Sequence, residues 1–104
     1  MIDHIVILGA GGMGTAMAVL LASSGHGVRL WARRSDLVSQ IQENQENIQY
    51  LPGIHLPKSI LITCNIEEAV RNSNLLVAAI PSSHLRETLR SVATMIPAGL
   101  PVVS

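Results

Sequence analysis

Apolar residues along the chain fall into short continuous runs, separated by segments in which apolar positions recur at helical spacing. Five runs have the length and β-branched content of strands, at residues 4–8, 27–32, 60–63, 75–80 and 101–104. A strand that is buried on both faces is an unbroken apolar run rather than an alternating one. The runs therefore predict a parallel sheet that is covered by helices on both faces.

Four helices are predicted between these strands. The first covers about residues 12–24 and ends at Gly25, and the third is a turn or two over residues 67–71. The second begins near residue 35, and the fourth extends to about Met95. Their candidate capping residues are Ser35 or Asp36 for the second helix and Ser82 or Ser83 for the fourth. The order β-α-β-α-β-α-β-α-β predicts a single α/β domain over residues 1–104.

A glycine-rich segment, Gly9-Ala10-Gly11-Gly12-Met13-Gly14, joins the first strand to the first helix. In this context Gly9 permits a tight turn, Gly11 lets the backbone approach a pyrophosphate, and Gly14 lets the helix pack close to the strand. The helix start adds unpaired N–H groups and the positive end of a dipole. Residues 4–32 thus predict a dinucleotide-binding βαβ unit. The alternative is a structural turn without a ligand.

The end of the second strand distinguishes between dinucleotides. An NAD site usually has Asp or Glu there to hold the ribose 2′-hydroxyl, but Ala32 occupies that position and the next acidic residue is Asp36. Arg33 and Arg34 follow instead, and guanidinium groups bind a 2′-phosphate well. This pattern favours NADPH over NADH. The alternative is a pair of solvated loop arginines, one of them stacking on adenine.

Composition excludes several other classes of function. The formal net charge is zero, and the chain has no Phe, one Trp and one Tyr, so it lacks both the charge and the stacking platform of a nucleic-acid binder. The single cysteine, Cys64, cannot form an intramolecular disulfide, which suits a reducing cytoplasm. Residues 5–25 carry no charge, but their glycines divide them into a strand, a turn and a helix. We therefore expect no membrane insertion.

The remaining reactive side chains predict neither a metal site nor a catalytic group. No two of the four histidines have i, i+4 spacing, and Cys64 has no CxxC partner. Ser82 and Ser83 lack a nucleophile motif. Lys58, the only lysine, lies in a proline-rich loop and is interpreted as a solvated charge.

Three further segments are distinctive: Gly25-His26-x-Val28-x-Leu30-Trp31-x-Arg33, the loop Asn47-x-x-Tyr50-Leu51-Pro52-Gly53-x-x-Leu56-Pro57, and Ala79-Ile80-Pro81-Ser82. Together with the glycine-rich segment, they resemble the amino-terminal half of bacterial NAD(P)-dependent glycerol-3-phosphate dehydrogenase. The resemblance covers the whole chain. The loop and the Pro-Ser step are much more specific than the glycines.

The resemblance implies a Rossmann-type doubly wound sheet and the reduction of dihydroxyacetone phosphate to sn-glycerol 3-phosphate, a phospholipid precursor, with NADPH or NADH. It also implies a set of cofactor contacts at Gly12, Met13, Arg33, Arg34 and Tyr50, with Pro81 beside the nicotinamide.

The last run, Pro101-Val102-Val103-Ser104, stops after a few residues, which predicts a chain truncated within or near its fifth strand. By the resemblance, the family's two catalytic lysines would lie beyond Ser104. We expect such a chain to bind nucleotide without turnover, and its open sheet edge favours self-association. Two other functions remain open, namely a regulatory domain that senses NAD(P) and a reductase of another small substrate.

Overall fold

The computed structural model describes residues 2–80, 82–94, 96 and 99–103. Within these residues, five strands and four helices alternate along the chain. The strands are β1 (Ile5–Leu8), β2 (Val28–Trp31), β3 (Leu61–Thr63), β4 (Leu75–Ala78) and β5 (Val102–Val103). The helices are α1 (Gly12–Ser23), α2 (Ser35–Asn44), α3 (Ile66–Val70) and α4 (Ser82–Val92).

The strands form one parallel sheet in the order β3-β2-β1-β4-β5. This confirms the predicted α/β doubly wound fold. The chain builds outward from β1 through β2 to β3, and it then returns to place β4 on the other side of β1. The winding therefore reverses between β1 and β4. In sheets of this kind, ligands bind in the crevice outside the carboxyl ends of the strands at that reversal.

Strand β1 is the centre of the core, because all four of its residues are buried. Ile5 and Ile7 pack into one apolar cluster with Leu30 of β2, whereas Val6 and Leu8 belong to a second cluster. Alternate residues of a strand point to opposite faces, so both faces of the sheet are covered. The uncharged run from residue 5 is thus a strand followed by a helix. None of the helices among the described residues is both long and apolar enough to span a bilayer.

The ends of the helices differ from the prediction at several points. Ser35 is the first residue of α2, and Arg34, in extended conformation, occupies the capping position without a side-chain cap. The prediction that Ser35 or Asp36 caps α2 was therefore wrong. Asp36 lies in the first helical turn, where its carboxylate contacts Arg34.

Helix α3 has a cap that the prediction missed. It begins at Ile66, and the Asn65 side chain accepts a hydrogen bond from the backbone N–H of Glu68 at 3.1 Å. Helix α4 ends at Val92, before the predicted end at Met95, which lies outside the described residues. The proposed capping by Ser82 or Ser83 concerns side chains outside those described and stays a prediction.

The far end of α3 is held by Arg29, a polar residue within the otherwise apolar β2. Its Nη1 donates hydrogen bonds to the carbonyl oxygens of Ala69, at 2.9 Å, and of Arg71. Burial lowers the pKa of Arg29 from its ordinary value, and the charge of Glu68 acts in the opposite direction. A cation at the carboxyl end of a helix is well placed for both the carbonyls and the dipole.

Candidate functional site

A cleft of about 470 Å³ opens at the carboxyl ends of β1, β2 and β4. Its lining includes Gly9 and Gly11 from the glycine-rich turn, Arg33 and Arg34 from the segment after β2, and Tyr50 from the loop after α2. Its volume is that of a small-molecule site, and its position is the reversal point of the sheet. The structure thus brings five of the nine predicted site residues together around one cavity.

Two glycines of the turn are required by the fold itself. Gly9 has a φ of +115°, and a Cβ there would lie 2.6 Å from the carbonyl oxygen of Ala79. A Cβ on Gly14 would overlap the carbonyl oxygen of Gly9 and lie 3.2 Å from the Cβ of Ala79. Both glycines let α1 and the turn pack against the ends of β1 and β4.

Gly11 lies in a different environment. It caps α1 with a φ of −74° and a ψ of −172°, which any residue can adopt. Apart from Gly11 itself and its two neighbours in the chain, no residue has a heavy atom within 4 Å of the position that its Cβ would occupy. The fold therefore leaves room for a side chain at Gly11, on the wall of the cleft.

Gly12 and Met13 lie beside the cleft rather than on its lining. A Cβ on Gly12 would lie 3.1 Å from the carbonyl oxygen of Tyr50. Gly12 is therefore where the loop of residues 47–51, called the Tyr50 loop below, approaches the glycine-rich turn. Met13 is 75% exposed. Both residues begin α1, whose first backbone N–H groups have no partner within the helix. Pro81, the ninth predicted site residue, lies outside the described residues.

The Tyr50 loop is fastened to the turn by Asn47, which is completely buried. Its Nδ2 donates to the carbonyl oxygen of Ala10 at 2.8 Å and to Oγ1 of Thr15 at 2.9 Å. Its Oδ1 accepts from the backbone N–H of Tyr50 at 3.2 Å. An antiparallel bridge from Asn47 to Leu51 closes the loop.

The role of Asn47 was missed in the sequence because a polar residue beside a Pro-Gly turn is ordinarily solvated. His84 and Thr88 of α4 also line the cleft and were missed, because polar residues of a helix are ordinarily solvated. The one available signal was the position of Asn47, three residues before Tyr50, since Asn often bonds to a backbone N–H a few residues later.

The two arginines lie on the same rim of the cleft, but their surroundings differ. Arg34 makes two contacts with Asp36, Nε to Oδ1 at 3.2 Å and Nη2 to Oδ2 at 2.7 Å. Hydrogen bonding between the two raises the pKa of Arg34 and lowers the pKa of Asp36. Arg33 has no acidic partner among the described residues, and its Nη2 lies 3.5 Å from Oγ1 of Thr88.

The inner wall of the cleft is mostly apolar and includes Trp31, Leu37 and Ile80. The Trp31 ring is held in place by a hydrogen bond from Nε1 to the carbonyl oxygen of Cys64 at 3.0 Å. An apolar wall with a few polar groups at the rim suits a ring system that carries charged substituents.

Comparison with known proteins gives a consistent set of matches. A family model described as NAD-dependent glycerol-3-phosphate dehydrogenase N-terminus matches residues 4–104. A glycerol-3-phosphate dehydrogenase [NAD(P)+] of Chlorobium phaeobacteroides is 48% identical over 82% of the chain and 25% of its own length. The enzyme of the same name from Moorella thermoacetica is 43% identical over 98% of the chain and 30% of its own length. The chain thus spans less than a third of these relatives.

Solved structures agree with these matches. A glycerol-3-phosphate dehydrogenase from Coxiella burnetii superposes with a TM-score of 0.91 at 33% identity, over 96% of the chain and 31% of that protein. A yeast glycerol-3-phosphate dehydrogenase superposes with a TM-score of 0.86 at 20% identity, over 98% of the chain and 33% of that protein. The second likeness, at this lower identity, concerns the fold alone.

Proposed function

The chain belongs to the NAD-dependent glycerol-3-phosphate dehydrogenase N-terminus family, and we propose that it is the dinucleotide-binding part of such an enzyme. The reaction proposed for that enzyme is the interconversion of dihydroxyacetone phosphate and sn-glycerol 3-phosphate with NADPH or NADH. Its product would feed phospholipid synthesis, in the cytoplasm.

The open position at Gly11 is the observation that carries this proposal. Neither its backbone angles nor its neighbours require glycine, whereas a ligand seated in the cleft would. A pyrophosphate that accepts hydrogen bonds from the start of α1 must come close to this backbone, and a methyl group there would hold it away. The glycine at this position is therefore explained by the ligand rather than by the fold.

The other predicted site residues take roles that follow from their positions. Backbone N–H groups at Gly12 and Met13 would bind the pyrophosphate together with the end of the α1 dipole. Arg33 and Arg34, on the rim, would face the adenosine ribose and its 2′-phosphate. Tyr50, whose hydroxyl lies 3.5 Å from Nη1 of Arg34, would contact the same ribose from the loop after α2. Gly9 and Gly14 support this surface without a need to touch the ligand.

Bound NADPH or NADH would supply the hydride, but the reaction also needs an acid close to the developing alkoxide. Lys58, the only lysine, is exposed in the loop between α2 and β3. We propose that the 104 residues bind and orient the dinucleotide and do not turn over substrate. The acid and the substrate pocket would belong to parts of the enzyme that these residues do not include.

Titration of the chain with NADPH and NADH tests the proposal. Trp31 is the only tryptophan and lines the cleft, so reduced nicotinamide dinucleotides should quench its emission. We expect both to bind, NADPH more tightly. Replacing Arg33 by alanine should weaken NADPH binding about tenfold, the cost of one charge-assisted contact, and leave NADH binding nearly unchanged.

Arg71→Ala is the matched control, because Arg71 is also exposed and directly follows α3, outside the cleft lining. It should leave both affinities unchanged. The absence of any dinucleotide binding by the wild-type chain would refute the proposed function. Equal losses for NADPH and NADH in Arg33→Ala would refute the phosphate role alone.

We also propose that the chain self-associates. The outer strands expose Leu61 on β3 and Val102 and Val103 on β5, and edge strands present unpaired backbone groups. Light scattering over a concentration series should give a mass that rises with concentration. A constant monomer mass would contradict this proposal and leave the binding proposal untouched.

A further inference from the structure

We propose that Asp36 sets the ratio at which the cleft binds NADPH and NADH, by acting as the counter-ion of Arg34. The inference rests on the proposed function and concerns the selectivity of the same site. Asp36 would not contact the dinucleotide itself. It would act through Arg34, which would contact the dinucleotide.

The geometry of the pair supports this role. Arg34 and Asp36 are joined by two nitrogen–oxygen contacts, at 3.2 and 2.7 Å, in the forked arrangement that orients a guanidinium group. Arg34 lines the cleft, whereas Asp36 lies in the first turn of α2 and lines an adjoining groove with Gln40 and Gln49. Arg34 also lines this groove, so its guanidinium group lies between the cleft and the groove and is bound by the carboxylate in the groove.

The partner of Asp36 explains why it cannot fill the usual role of an acid in an NAD site. That acid follows the second strand directly and accepts a hydrogen bond from the ribose. Here Ala32 occupies that position, and Asp36 comes four residues later, inside a helix. Its two oxygens are both engaged by Arg34.

The two arginines consequently differ in how readily they can bind a phosphate. Arg33 has no acidic partner in the described part of the chain, so its charge is available to an incoming anion. The charge of Arg34, in contrast, is already paired with Asp36, so a phosphate would have to share it with the carboxylate. A third contact, from Nη1 of Arg34 to the Tyr50 hydroxyl at 3.5 Å, keeps the pair at the mouth of the cleft.

The effect on the two ligands follows from their charges. A phosphate monoester carries a charge of roughly −1.5 to −2 at pH 7, and it would compete with Asp36 for Arg34 and be repelled by the carboxylate. NADH has neutral hydroxyls at this point, so Arg34 can stay paired. Asp36 therefore weakens NADPH binding selectively and lets one cleft accept both dinucleotides.

The test is Asp36→Asn, measured by Trp31 quenching with NADPH and NADH. NADPH should bind about two- to fivefold more tightly, the effect expected of an exposed charge pair, while NADH binding stays unchanged. The gain should shrink as salt is added, because exposed charges are screened. In an Arg34→Ala background, Asp36→Asn should have less effect on NADPH, since the coupled partner is gone.

Glu43→Gln provides the matched control. It removes the same charge from an exposed position on the same helix but outside the cleft. Similar gains in Glu43→Gln and Asp36→Asn would overturn the proposal in favour of a general charge effect. Weaker NADH binding by Asp36→Asn would also overturn it, since Asp36 would then hold the ribose. If the wild type binds both dinucleotides and Asp36→Asn leaves their ratio unchanged, only this inference fails. If the wild type binds neither, the proposed function fails with it.

Discussion

Replacing Gly14 by alanine should prevent stable folding, whereas replacing Gly11 by alanine should preserve the fold and abolish tight dinucleotide binding. A methyl group on Gly14 would overlap the carbonyl oxygen of Gly9 and press on Ala79, so α1 would have to move away from β1 and β4. Overpacking against a side chain typically costs about 1–3 kcal/mol, and here the obstacle is backbone, so we expect at least about 3 kcal/mol. That is a large part of the roughly 5–15 kcal/mol by which domains are stable.

Gly11→Ala is the informative counterpart. Its methyl group would point into open space, and the backbone angles suit alanine, so the free energy of unfolding should change by no more than about 0.5 kcal/mol. The same methyl group would meet an approaching pyrophosphate, and NADPH affinity should fall at least about tenfold, or 1.4 kcal/mol.

Urea unfolding and Trp31 quenching on the same preparations separate the two effects. A Gly14→Ala chain that unfolds at the wild-type urea concentration would contradict the packing role of this glycine. A Gly11→Ala chain that binds NADPH as tightly as the wild type would contradict the position proposed for the pyrophosphate. It would leave the family assignment in place.

The residues of β1 and the turn after it show why so much of the fold could be predicted. A strand buried on both faces has no freedom to include polar residues, so its apolar run is visible in the sequence. The turn is equally constrained, because the positive φ at Gly9 and the close packing at Gly14 both exclude a side chain. Where geometry restricts the residue type this tightly, the sequence reveals the geometry.

Other contacts of the fold and the site could not be predicted from the apolar pattern of the sequence. Asp36 is a plausible cap by its position, but the neighbouring guanidinium of Arg34 engages both of its oxygens. Helix α3 takes its cap from Asn65, which stands just outside the apolar pattern that marked the helix. His84 and Thr88 reach the cleft only because α4 follows β4 across the reversal point. The contacts of Asp36 and Asn65 are local but involve polar residues, which the apolar pattern does not mark. Only the approach of α4 to the cleft depends on segments that are distant in the chain.

Asn47 is the clearest case, and replacing it by alanine should destabilise the domain by about 2–4 kcal/mol. The substitution would leave the backbone N–H of Tyr50 and the buried carbonyl oxygen of Ala10 without their present partner. It would also release the Tyr50 loop from the glycine-rich turn, so the affinity for NADPH should fall together with stability. The measurement is urea unfolding, followed by NADPH titration under conditions where the variant is folded.

Asn44→Ala is the matched control, since Asn44 is exposed and donates only to the carbonyl oxygen of Gln40 one turn earlier. It should cost no more than about 0.5 kcal/mol of unfolding free energy.

Asn47→Asp adds a test in which the direction of the pH dependence of stability is fixed in advance. Burial would raise the pKa of the new carboxyl in the folded state, so the ionised form should destabilise the domain at neutral pH. As the pH falls through that raised pKa, protonation removes the buried charge and restores a donor toward Ala10, so stability relative to the wild type should recover. A deficit that does not change with pH, or an Asn47→Ala cost as small as that of Asn44→Ala, would mean that Asn47 does not fasten the Tyr50 loop.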